Sequence, residues 1–304
     1  MRVVSLLPSA TEIVCALGAG DELVGVSHEC DFPTEVAARQ VLTRARLGAF
    51  TSSKQIDQAV RAVIHDALSI YAVDEAALAA LAPDVIVTQD LCQVCAVSLD
   101  DVRSAVARLA NRDSINIVSL SPTRLQHVWD DVGKVAAALG RVAEGERLRQ
   151  RLEQRVQAIA LRAQAAQSRP RVVSIEWLEP IMLGGTWMPE LIELAGGLAV
   201  GAAAGRPAPT VSSSELAALA PEVVLIKPCG FTLERTLRER DVIGRDITSA
   251  VHANARCCVS DGNAFFNRPG PRLVESLEIL AACIHPDVFP DFVAKHARDL
   301  HALD

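Results

Sequence analysis

Short apolar segments alternate with helix-patterned stretches along the whole chain of 304 residues. That alternation constrains the fold most, because strand, helix, strand in succession is the pattern of βαβ units and mainly parallel sheets. The pattern predicts strands through Leu7, at Leu23 to Ser27, Asp84 to Thr88, Ile115 to Leu120, Val172 to Glu176, Val223 to Lys227 and Cys257 to Ser260. Ser9, with Glu12 three residues on, reads as a capping box opening the first helix. The phrase Ala82-Pro83-Asp84-Val85-Ile86-Val87 returns as Ala220-Pro221-Glu222-Val223-Val224-Leu225. Two related α/β lobes are therefore expected. Between them Val142 to Gln167 reads as one helix, roughly 39 Å long at 1.5 Å per residue. The division is an N-terminal lobe over 1–122, linker helices over 123–168 and a C-terminal lobe over 169–304, with an insertion of unassigned role around 34–73.

The unusual residues cluster where predicted strands end. His28, Cys30 and Phe32 follow one strand, Cys92 and Cys95 another, Trp177 a third, Cys229 and Phe231 a fourth, and Asn263 to Arg268 a fifth. The carboxyl ends of parallel strands line one crevice in an open α/β sheet, so these distant stretches are expected to converge on a ligand. No nucleophile elbow, phosphate loop or zinc-protease motif occurs, and nothing in the sequence compels an enzyme.

Net charge is −7, and the basic run from Arg141 to Arg155 is interleaved with Glu144, Glu146 and Glu153. That mixture is a solvated helix face, which argues against nucleic acid and anionic membranes as partners. No apolar run approaches the roughly 20 residues of a membrane span. The chain opens directly on a strand without a secretory pattern, so the expected location is the cytoplasm, or the periplasm or another extracytoplasmic space for a mature form. Eight cysteines in a chain with an ample core need not form a disulfide framework.

Several phrases resemble the Fe/B12 periplasmic-binding domain family, the helix-linked solute-binding proteins of ABC transporters. They are Val4-Ser5-Leu6-Leu7-Pro8-Ser9-Ala10-Thr11-Glu12, Val24-Gly25-Val26-Ser27, Cys30-Asp31-Phe32-Pro33, Pro83-Asp84-Val85-Ile86, Glu193-Leu194-Ala195-Gly196-Gly197 and Arg268-Pro269-Gly270-Pro271-Arg272. The resemblance implies two Rossmann-like lobes joined by a long helix and a corrinoid or related metal chelate held in the interlobe cleft. It is nearest the vitamin B12-binding branch. There the matching positions implicate Phe32, Trp177, Asp261 and Arg268 in ligand contact, with Pro8 and Ser9 in a loop facing the ligand. It also implies docking onto an ABC permease through Glu193, while the equivalent first-lobe position falls on Ala76, beside Glu75.

A corrinoid or porphyrin offers a broad apolar face with polar groups at its rim, so its site needs flat side chains and a few convergent polar ones. Phe32, Trp177, Trp187, Phe231, Phe265 and Phe266 are six of only eleven aromatics in the chain, and core packing is the alternative for each. Asn263 and Arg268 would bond rim groups, or Arg268 braces its own loop; Asp261-Gly262 is also a turn signal. Three readings of Cys92-Gln93-Val94-Cys95 stand side by side: zinc or iron ligation together with His28, Cys30 or Cys229, a redox pair, or space-filling under the loop. A cytoplasmic metal-binding or thiol-redox protein is thus the alternative to a binding protein. Cys257-Cys258 lies within a strand, one side chain to each face.

Overall fold

The structure is a computed structural model that describes residues 1–303 apart from 47, 49, 66–69, 91–98 and 108–114. In chain order it begins β1 (Val3–Ser5), α1 (Pro8–Ala16), β2 (Leu23–Val26), β3 (Gln40–Val41), β4 (Thr43–Ala45), α2 (Ser53–His65), β5 (Tyr71–Val73), α3 (Glu75–Leu81) and β6 (Val85–Gln89). There follow α4 (Leu99–Val106), β7 (Asn116–Leu120), α5 (Leu125–Ala138) and α6 (Val142–Ala163). The second half holds β8 (Arg171–Trp177), β9 (Ile181–Leu183), α7 (Met188–Leu194), β10 (Leu198–Ala199), β11 (Thr210–Val211), α8 (Ser213–Ala218) and β12 (Val223–Ile226). It closes with α9 (Leu233–Leu237), α10 (Arg240–Asp246), β13 (Arg256–Ser260), α11 (Leu273–Ile284), α12 (Pro290–Lys295) and β14 (Leu300–Ala302).

The chain divides into two compact units, the first built mainly from Met1 to Arg151 and the second mainly from Leu152 to Asp304. Helix α6 therefore contributes residues to both. In the first unit five parallel strands run in the order β3-β2-β1-β6-β7, with β4 and β5 forming a separate antiparallel pair. In the second, β8, β12 and β13 form a parallel centre, extended by antiparallel β9 and β11 on one side and antiparallel β14 on the other. Every residue of β6 and β12 is buried, as strands covered by helices on both faces require. Buried Val4, Leu6, Ile86 and Val102 centre the first core; Val173, Ile175, Val224 and Ile226 centre the second.

The recurring phrase has a physical basis. Arg2-Val3-Val4-Ser5 and Arg171-Val172-Val173-Ser174 open the central strands β1 and β8. The Asp84 carboxylate accepts the backbone N–H of Arg2 at 2.8 Å, and Glu222 accepts that of Arg171 at 2.8 Å. Each arginine then reaches back, Arg2 Nε to Leu81 O at 2.6 Å and Arg171 Nε to Leu219 O at 3.0 Å. Ala82 and Ala220 take the same positive φ, 40° and 43°, just before the prolines. One strand-pinning device thus appears in both halves.

Two local expectations need correction. Ser9 lies inside α1 rather than capping it: Leu7 is the N-cap, with no side-chain cap bond, and Pro8 starts the helix. A proline's fixed φ and missing N–H suit the first helical position, so Pro8 sets the boundary. Helix α6 spans 22 residues, about 33 Å, and stops at Ala163, short of the expected Gln167.

Candidate ligand-binding surfaces at the strand ends

In the second unit the carboxyl ends of β8, β12 and β13 are tied together by polar contacts that start from Lys227. Its side chain is fully buried, and Nζ donates to Glu176 Oε2 at 3.3 Å and to Asn267 Oδ1 at 2.9 Å. The Asn267 amide in turn donates to Gly262 O at 2.8 Å and Lys227 O at 3.3 Å. Backbone bonds run alongside, Cys229 N to Glu176 O and Asn263 N to Phe231 O, both 3.0 Å. Gly262 is required here because a Cβ would stand 2.0 Å from Pro228 O. Sequence reading missed Lys227, taking it as the last residue of a strand; a lysine ending an otherwise apolar run was the available signal.

On this frame sit the aromatic residues. Half-buried Trp177 ends β8, and its ring centroid lies 5.2 Å from that of Phe231, tilted by 59°. The Arg235 guanidinium covers Phe231 at 4.5 Å, a cation–π contact. The Trp177 indole Nε1 is buried and has no hydrogen-bond partner. Half-buried Phe265 meets His296 edge-on at 6.3 Å.

The same loop after β13 holds the polar candidates. Asp261 Oδ1 accepts from Asn263 N at 2.9 Å and Ala264 N at 2.6 Å, so its carboxylate closes a local turn. Arg268, 6% exposed, donates from one terminal nitrogen to Asn263 Oδ1 at 3.1 Å.

Two aromatics belong to the core instead. Phe266 is fully buried, with φ +66° and its N–H held by Ser276 Oγ at 2.8 Å. Trp187 is 6% exposed and spends its indole N–H on Phe266 O at 2.8 Å. Neither ring is presented for stacking, because both are buried and the Trp187 indole N–H is spent on the Phe266 carbonyl.

In the first unit, Pro8 is half-buried and the buried Ser9 hydroxyl has no partner. Phe32, which precedes a cis peptide bond to Pro33, is 42% exposed. Cys30 is buried, its Sγ 3.0 Å from Thr11 Oγ1, which also meets Ser5 Oγ at 2.8 Å. Exposed His28 approaches Thr43 Oγ1 with Nδ1 at 2.7 Å and packs 5.3 Å from Tyr71.

The metal reading gains no support among the described residues, where no group of three or more His, Cys, Asp or Glu side chains could hold an ion. Cys30 and His28 are engaged by hydroxyls, and Cys229 stands half-buried as a free thiol. Cys92 and Cys95 lie outside the described residues. Cys257 and Cys258, consecutive on β13, are 7% and 4% exposed, since both faces of the strand are covered. Glu193 is exposed but engaged within its own unit, by Arg169 and by Ala199 N at 3.0 Å.

Comparison with known proteins places this architecture. Residues 3–256 match the model of the family described as periplasmic binding protein. The chain belongs to the periplasmic binding protein family. It is 24% identical over 235 residues to the vitamin B12-binding proteins of Yersinia pestis (strain Pestoides F) and Yersinia pseudotuberculosis serotype O:1b (strain IP 31758), covering 74% of this chain and 69% of each relative. Among solved structures it resembles a periplasmic heme-binding protein from Pseudomonas aeruginosa, with TM-score 0.69, 20% identity and coverage of 94% and 92% of the two chains. It also resembles the periplasmic vitamin B12-binding protein of Vibrio cholerae, with TM-score 0.66, 19% identity and coverage of 93% and 96%. The fold is that of the class III members, with two α/β units and α6 shared between them. This membership corrects the expectation of a cytoplasmic location, since the family and these relatives are periplasmic. The metal or thiol-redox alternative finds no support in these comparisons. No helix among the described residues is long and apolar enough to cross a membrane.

Proposed function

We propose that this periplasmic binding protein family member captures a planar metal chelate, a corrinoid, and passes it to an ABC-type permease. The observation that carries the reading is half-buried Trp177 at the end of β8, its ring supported 5.2 Å away by Phe231, which is itself 5% exposed and covered by Arg235. A flat aromatic surface fits the apolar face of a macrocycle, and the name of the Yersinia relatives favours a corrinoid over other planar ligands. The partnerless Trp177 Nε1 adds a second argument: a buried donor without an acceptor costs about 1–3 kcal/mol, which a rim amide of the ligand reaching it would offset. Arg268 and Asn263, in the loop after β13 of the same unit, supply the remaining rim contacts. Glu193 is the proposed permease contact on the second unit, exchanging its bond to Arg169 for one from the permease.

Titration with cyanocobalamin, dicyanocobinamide and hemin, followed by visible absorbance and tryptophan fluorescence, tests this. Saturable one-to-one binding of a corrinoid, weakened tenfold or more in Trp177→Ala, is the expected result; tenfold corresponds to about 1.4 kcal/mol. Tight binding of hemin without corrinoid binding would move the ligand to the porphyrins. Failure to bind either class, or ferric siderophores, would overturn the proposal.

A further inference from the structure

Two thiols of the second unit meet in its interior. Cys258 lies on β13 and is 4% exposed, while Cys283 lies in the last turn of α11 and is 2% exposed. Residues two apart on a strand share a face, so Arg256 and Cys258 leave β13 on the same side. The Arg256 guanidinium donates to the backbone oxygens of Cys283 at 3.0 Å and Ile284 at 3.2 Å. This fixes the end of α11 over that side of the strand, where the Cys258 and Cys283 side chains interact. Cys257 leaves on the other side, packed in the cluster with Val224 and Val259.

We propose that Cys258 and Cys283 become joined by a disulfide when the chain folds under oxidising conditions, pinning α11 to the strand that leads into the loop from Asp261 to Arg268. The inference is independent of which ligand is bound. The oxidant is a protein or small-molecule disulfide of the thiol–disulfide exchange class, and the bacterial periplasm is an oxidising space. The Cys258 thiolate attacks that disulfide, expels one of its thiolates and forms a mixed disulfide. Cys283 then loses its proton and attacks the Cys258 sulfur, expelling the second thiolate. Two protein thiols are oxidised by two electrons, the oxidant is reduced to two thiols, and both protons end on it. Because both sulfurs are sealed in the folded unit, the exchange belongs to folding, before α11 docks.

The test folds the full chain with and without a glutathione redox buffer, denatures it in iodoacetamide without reductant, and digests it for mass spectrometry. The expected product is a pair of peptides linked through Cys283, lighter by two hydrogens than their sum and parted by reductant. It persists in Cys257→Ser and disappears in Cys258→Ser. The oxidised protein should melt higher than the reduced by on the order of 5–10 °C, a difference absent from Cys283→Ala. Full alkylation of both cysteines in the oxidised sample, or a link from Cys283 that survives Cys258→Ser, would overturn the assignment. Should Cys283→Ala fail to fold, the Cys257→Ser and Cys258→Ser digests still decide it.

Discussion

Beyond β12 the Lys227 ammonium is wholly withdrawn from water and meets a carboxylate on one strand end and an amide oxygen on another loop. A buried charge is tolerated only where partners replace its hydration, and here those partners are the residues that align the strand-end loops. Lys227→Met should therefore cost about 2–3 kcal/mol in a urea titration, because it strips Glu176 and Asn267 of a shared donor at once. Gly262→Ala should cost at least about 1 kcal/mol by the same measurement, since its methyl would need the Pro228 carbonyl to move. Indifference to either change would mean these loops adjust independently. At this scale the sequence disclosed residue types but not partners. Trp177 and Trp187 look alike as tryptophans beside loops, yet only Trp187 finds an acceptor, 79 residues away.

Among elements, α11 shows how a helix is held at one point by electrostatics. Its Glu278 accepts from Arg155 of α6 at 2.8 Å, from Lys295 Nζ at 2.5 Å and from His296 Nε2 at 2.9 Å. Burial alone would raise this carboxyl, but those three hydrogen bonds outweigh it and hold it at about 2, below its ordinary 4.5. A folded value beneath the unfolded one means stability that is fully present above about pH 4.5 and lost as pH falls toward 2. Acid unfolding of the wild type should accordingly steepen across that window, and Glu278→Gln should flatten it; identical acid limbs would refute the assignment. Ser212 makes a capping box with Glu215 at the start of α8, so Ser212→Ala should lower stability by about 1 kcal/mol. The same spacing at Ser9 and Glu12 makes no box, because Pro8 starts α1 one residue earlier. The short antiparallel strands β9, β11 and β14 escaped prediction because two- or three-residue strands carry too little periodicity to read.

For the whole molecule, ligand binding and folding stability are linked. A corrinoid at a hundred times its Kd should add about 2.7 kcal/mol to unfolding, seen as a shifted urea midpoint. The gain should vanish in Trp177→Ala at the same ligand concentration, and a shift unchanged in that variant would move the site elsewhere. The sequence by itself determined the doubled α/β plan. Apolar runs of strand length between helix-patterned stretches can be buried in few ways, and the strand-pinning phrase at Arg2 and Asp84 recurs at Arg171 and Glu222. Only the tertiary structure decided which polar and aromatic side chains meet: Lys227 with Glu176, Trp177 with Phe231, Cys258 with Cys283. Burial follows from the average character of a segment and survives small shifts of backbone, but a hydrogen bond or a thiol pair between distant residues depends on positions held to within an ångström, which no local pattern encodes.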